Sequence, residues 1–132
     1  MSDAKFLLLV EDETDLADIL KDEFESLGYE VAHAENGKKA LDYYQEVKDG
    51  KRRIDAILSD FDMPKMNGIM MLKEIRKLGY QTPLVFLSGY GSVEKVNQAK
   101  SAGAMEFLNK PYNRALLIET MEKAVEVGQK LK

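Results

Sequence analysis

Phe6-Leu7-Leu8-Leu9-Val10-Glu11-Asp12-Glu13 is an apolar run closed by acids, and its pattern returns along the chain. Ile54-Asp55-Ala56-Ile57-Leu58-Ser59 ends at Asp60, Leu84-Val85-Phe86-Leu87 at Ser88, and Met105-Glu106-Phe107-Leu108-Asn109 at Lys110. Short, near-continuous apolar runs are the mark of strands buried on both faces. The segments between them carry helical periodicity instead. In 14–27, Leu16, Ile19, Leu20, Phe24 and Leu27 recur at helix spacing before Gly28 stops the helix.

Working outward, a short strand at 30–33 leads to Asn36-Gly37 and a helix carrying Ala40, Leu41, Tyr44 and Val47, closed near Gly50. The strand at 54–59 passes through a loop with Pro64 to a helix with Ile69, Leu72, Ile75 and Leu78, ended at Gly79. The strand at 84–88 runs through Gly89 and Gly91 to a helix over 92–102, ended at Gly103. After the strand at 105–109 and Pro111, Asn113 caps a last helix over 113–127. Five strands alternating strictly with five helices predict an α/β fold, a doubly wound parallel sheet between two helical layers with right-handed connections. In such sheets ligands bind outside the carboxyl ends of the strands.

Composition bounds the function. A chain of 132 residues with 45% hydrophobic and 32% charged residues fits one globular domain, and 1–132 is expected to be a single domain with no output domain. A net charge of −4 offers no broad attraction for nucleic acid, and Lys51-Arg52-Arg53 beside Gly50 is expected to be a solvated loop. With no cysteine there is neither a disulfide framework nor a thiolate metal site. No apolar stretch approaches the ~20 residues that span a bilayer, and the first residues carry no signal-peptide pattern. The expectation is a cytoplasmic protein with no direct nucleic-acid or membrane partner.

The strand ends carry the chemistry. Carboxylates converging from separate strands repel one another unless a cation or proton sits between them. Hard oxygen ligands suit Mg²⁺. From the acids alone, the competing reading is that Glu11, Asp12 and Glu13 only decorate a helix N-terminus, and Glu13 is assigned to that role. Asp60 taken alone could be an ordinary turn acid. Ser88 and Lys110 at neighbouring strand ends tip the balance, because a hydroxyl and an ammonium can grip a phosphoryl group. Pro111 restricts Lys110 to extended geometry, which aims its side chain along the strand top.

Val10-Glu11-Asp12-Glu13, Asp60-Phe61-Asp62-Met63-Pro64 with Gly68, Leu87-Ser88-Gly89 and Lys110-Pro111-Tyr112 together resemble the receiver domain of two-component response regulators. The resemblance covers about residue 5 to 128 and keeps the motifs in order. It implies a flavodoxin-like sheet of order 2-1-3-4-5. It also implies that Asp60 is the phosphoacceptor, taking a phosphoryl group from a sensor histidine kinase, a phosphotransfer protein or a small phosphodonor. Glu11, Asp12, Asp60 and the Asp62 backbone carbonyl would hold Mg²⁺, with Mn²⁺ as a substitute, Glu11 through water. Ser88 and Lys110 would bind the phosphoryl oxygens, and Asp62 and Tyr90 would tune the phosphate lifetime. A rotamer change at Phe107 coupled to Ser88 would switch the face made by the fourth helix, fifth strand and fifth helix toward a downstream protein target. The protein would act as a monomer or as a phosphorylation-dependent homodimer, catalysing only its own phosphorylation and dephosphorylation.

Departures from the commonest pattern are Glu at position 11, Ser at 88 and Gly at 89. Phe107 has a plain core-packing reading besides the switch. His33, the one histidine, is expected at the surface or partly packed, and Met70, Met71 and Leu72 mostly in the core. Two rivals remain. A haloacid-dehalogenase-like phosphatase shares Asp-x-Asp, hydroxyl and lysine, but its Asp-x-Asp follows the first strand and further acids follow its lysine. A pseudo-receiver would have lost a core residue, and none is lost here.

Overall fold

The structure is a computed structural model that describes residues 4–63, 66–89 and 91–131. Pro64 and Tyr90 lie outside the described residues, and with them the expectation that Tyr90 tunes lifetime. Ten elements alternate: β1 (Lys5–Val10), α1 (Thr14–Ser26), β2 (Tyr29–Ala34), α2 (Gly37–Lys48), β3 (Ala56–Asp60), α3 (Gly68–Lys77), β4 (Leu84–Ser88), α4 (Val93–Ser101), β5 (Glu106–Asn109) and α5 (Arg114–Lys130). All strands pair in parallel, in the order β2-β1-β3-β4-β5.

Side-chain alternation divides the core. Leu7 and Leu9 of β1 face a cluster with Leu20 and Phe24 of α1 and Leu117, Met121 and Val125 of α5. Leu8 and Val10 face Ala40 and Tyr44 of α2, Met71, Leu72 and Ile75 of α3, and Ala99 of α4. Each helix N-terminus after the first is closed by a side chain: Asn36, Asn67, Ser92 and Asn113 each accept from the backbone N–H three residues on. Glu13 precedes α1 without a side-chain cap bond.

Three expectations need correction. Burial on both faces holds for β3 and β4 and for most of β1, whereas the edge strands β2 and β5 are only partly buried, because each has one neighbour and less helical cover. The last helix runs through Gly128 to Lys130. Gly128 lies so close to the start of β3 that a Cβ there would overlap the Asp55 carbonyl oxygen, so the glycine is a contact point within the helix. Met71 and Leu72 are buried, but Met70 points outward at 51% exposure because one face of α3 is in water. The basic run is a solvated loop, as expected, and two of its side chains also find partners. Arg52 donates to Glu46 at 3.0 Å and lies over the Tyr43 ring, and Arg53 donates to the buried Asp55 at 3.0 Å.

Candidate functional site

The sheet register brings the strand ends together. Val10 pairs with Ser59, so Glu11 and Asp60 emerge side by side, and Ser88 pairs with Asn109, one residue before Lys110. Glu11 and Asp60 are buried, while Asp12 is exposed. One oxygen from each of the three lies within 4.8 Å of the others. The Lys110 ammonium stands 3.6 Å from both Glu11 Oε1 and Asp60 Oδ1. The peptide bond from Lys110 to Pro111 is cis, and the Lys110 backbone N–H donates to the Ser88 carbonyl at 2.7 Å. Among the residues singled out in the sequence, then, Glu11, Asp12, Asp60 and Lys110 form one cluster.

Two buried acids with a single cation between them are under-neutralised. Burial and the adjacent Asp60 push the Glu11 carboxyl up to about 7, against the pull of the Glu13 amide and Lys110. Burial also raises Asp60, with Lys110 opposing it and Asp12 adding to the rise. Glu13 contributes its backbone N–H, which donates to Glu11 Oε2 at 3.1 Å and fixes that carboxylate. Such a set of hard oxygens fits a divalent cation, whose charge would favour the ionised forms that burial opposes.

Ser88 is buried, and its hydroxyl donates to Asp62 Oδ2 at 3.3 Å. Asp62 therefore sits at the mouth, beside the group proposed for phosphoryl contact. Phe107 is half-buried and packs edge-on to Phe61 at 5.3 Å and near Phe86 at 6.4 Å. Gly91 makes room for it, since a Cβ there would lie 2.6 Å from the Phe107 ring.

Several participants escaped the sequence reading. His33 Nε2 lies 2.8 Å from the Glu11 carbonyl oxygen and braces the loop after β1 from β2. Glu23 of α1 accepts from Tyr112 at 3.3 Å and Arg114 at 3.0 Å, tying the Lys-Pro-Tyr turn to α1. Lys95 of α4 reaches Asp62. None of these contacts is local in sequence. Only the helical position of Lys95, one turn into a helix that starts beside the site, could have pointed to it.

A parallel five-stranded sheet with acids, a hydroxyl and a lysine at its carboxyl edge is suited to holding a phosphoryl group. The family model for the response regulator receiver domain matches residues 7–122, and the chain belongs to that family. It is 36% identical over 120 residues to the chemotaxis protein CheY of Thermotoga maritima, covering 90% of this chain and 96% of that one. It is 35% identical over 119 residues to the transcriptional regulatory protein ZraR of Escherichia coli, covering 90% of this chain but 26% of that protein. A response regulator receiver domain protein from Clostridium thermocellum superposes with a TM-score of 0.86 at 27% identity, covering 97% and 99% of the two chains. The protein is thus a phosphoacceptor signalling domain of two-component systems, whose receivers engage histidine kinases and downstream targets. Among the described residues, no helix is long and apolar enough to cross a membrane.

Proposed function

We propose that Asp60 is the phosphoacceptor and that Glu11, Asp12 and Asp60, with the Asp62 backbone carbonyl, hold Mg²⁺ or, in its place, Mn²⁺. The observation that carries this reading is the meeting at one strand edge of Glu11, Asp12 and Asp60, with one oxygen of each within 4.8 Å of the others, and of Lys110 in ion-pair range of Glu11 and Asp60. An Asp60 oxygen attacks the phosphorus of a phosphohistidine or small phosphodonor. The bond from phosphorus to the donor nitrogen or oxygen breaks, and that atom leaves with its electron pair. Water later attacks the same phosphorus, returning Asp60 and inorganic phosphate. The bound cation would offset charge on the phosphoryl oxygens. Lys110 and Ser88 grip those oxygens, since such transfer is mostly positioning and charge neutralisation. The chemistry the domain catalyses is confined to its own phosphorylation and dephosphorylation.

The message leaves through α4, β5 and α5. β5 is only partly buried and Val93 and Leu116 are exposed, which leaves apolar surface there for a protein target or a second copy of this chain. Phosphorylation biases two arrangements of that face through Ser88 and Phe107. A cytoplasmic setting, where kinases and Mg²⁺ are at hand, belongs to the same reading.

The test is mass spectrometry after acetyl phosphate and Mg²⁺. The expected result is a single phosphoryl adduct, absent in Asp60→Asn. No adduct with any donor would point to a binding-only module, and steady hydrolysis of phosphate monoesters to a phosphatase. Asp62→Asn is expected to change the dephosphorylation rate of the adduct, and an unchanged rate would remove Asp62 from lifetime control.

A further inference from the structure

Asp62 Oδ1 and Oδ2 lie 3.4 and 3.2 Å from the Lys95 ammonium, and Oδ2 also accepts the Ser88 hydroxyl. One carboxylate thus joins the loop after β3, the end of β4 and the first turn of α4. Lys95 is unusually constrained for a surface lysine. Its backbone N–H donates to the Ser92 cap at 3.1 Å, its ammonium lies 5.7 Å from the centroid of the buried Phe61 ring, and its side chain is only 28% exposed. An ordinary exposed ion pair contributes little because both side chains must give up their freedom. Here the cap and the ring have already restricted the lysine.

The charges around the mouth explain why this matters. Phosphodonors are anions, and Asp12 and Asp62 are exposed carboxylates of this site, Asp12 beside the buried Glu11 and Asp60 and Asp62 against Ser88. Like charge along an entrance slows the arrival of an anion, and a positioned cation reverses part of that loss. Asp62 is the acid on which Lys95 acts.

We propose that Lys95 is a positioning residue of phosphoryl transfer that works through Asp62. This rests on the reading of Asp60 as phosphoacceptor. Lys95 offsets the Asp62 charge as the donor approaches, and holds the carboxylate toward α4 when Ser88 turns its hydroxyl to the new phosphoryl oxygen. Without the lysine, the carboxylate loses its hold on α4 and faces the incoming anion with its charge unopposed. Lys95 moves no proton and forms no covalent bond.

The experiment follows adduct formation over time with acetyl phosphate and Mg²⁺ in unaltered protein, Lys95→Met, Lys95→Arg, Asp62→Asn and the Lys95→Met/Asp62→Asn double variant. Lys95→Met should slow the reaction roughly fivefold, with Lys95→Arg within about twofold of the unaltered rate. In the Asp62→Asn background the same Lys95→Met change should alter the rate by less than about 1.5-fold, since a residue acting through another has no effect once that other is neutral. Raising salt from about 0.05 M to about 0.5 M should shrink the Lys95→Met defect. An equal defect in both backgrounds would mean that Lys95 touches the phosphoryl group directly, and no defect in either would mean that it has no part in transfer; both overturn the proposal. Absence of any adduct in the unaltered protein would instead strike the assignment of Asp60, and the proposal with it.

Discussion

At the amino end of the sheet Asp55 is fully buried, and its two oxygens accept from the Phe6 backbone N–H at 2.9 Å and from Arg53 at 3.0 Å. At the carboxyl end Glu11 and Asp60 are buried too, yet they share one lysine at 3.6 Å and are pushed toward their protonated forms. The first acid is matched by its own chain; the other two are left for something from outside. A buried carboxylate is therefore not by itself a sign of function. What separates the two ends is whether the fold supplies the counter-charge, and the end where it does not is the end proposed above to take a cation and a phosphoryl group.

Four measurements press on that contrast. The largest effect is expected from Gly128→Ala, whose added methyl would overlap the Asp55 carbonyl and push α5 off β3, costing about 4 kcal/mol in urea unfolding. A loss below about 1 kcal/mol would mean that the amino end is loosely packed. Asp55→Ala should cost about 3 kcal/mol by leaving the Phe6 N–H unpaired, with phosphorylation of the folded protein unaffected. Loss of phosphorylation in folded Asp55→Ala would erase the distinction between the two ends.

At the carboxyl end the sign reverses. Glu11→Gln should stabilise the metal-free protein at pH 8 by about 2 kcal/mol, because the ionised acid is disfavoured where it is buried beside Asp60. The folded carboxyl titrates near 7 and the unfolded one near 4.5, so the folded state holds the extra proton between those values. The stability this group contributes is fully present below about 4.5 and is lost as pH rises through 7. The advantage of Glu11→Gln should accordingly vanish in acid, and a pH-independent advantage would assign it to packing. The smallest effect is that of Mg²⁺, which at tenfold its Kd should raise unfolding stability by about 1.4 kcal/mol. That gain should fall in Asp12→Asn, and an equal gain there would place the ion elsewhere.

Much of this architecture was legible before any coordinates. The period of the apolar residues separated strands from helices, and Gly28, Gly79 and Gly103, all with positive φ, did mark helix ends. Glu11, Asp12, Asp60 and Lys110, which the structure brings together, stood out because they follow apolar runs and the runs keep the receiver order. What escaped shares a cause: Asp55 with the Phe6 N–H, His33 with the Glu11 carbonyl, and Asp62 with Lys95 are all pairings made by tertiary placement. Gly128 shows the limit in reverse. A glycine near the end of a helical pattern reads as a stop, and only the distance to β3 reveals that the helix continues and that the missing side chain is what lets it dock.

If Ser88 and Lys110 grip the phosphoryl group as proposed, the 2.7 Å bond from the Lys110 backbone N–H to the Ser88 carbonyl makes the hydroxyl and the ammonium two jaws of one vice, mounted on adjacent rails. Neither jaw can travel along its strand without dragging the other. The connections at the opposite edge can lengthen or shorten without altering the gap, whereas a single deletion inside β4 or β5 would put the jaws out of line. The grip is thus insulated from the loops most free to change in length, and tolerance to insertion should follow distance from that one bond.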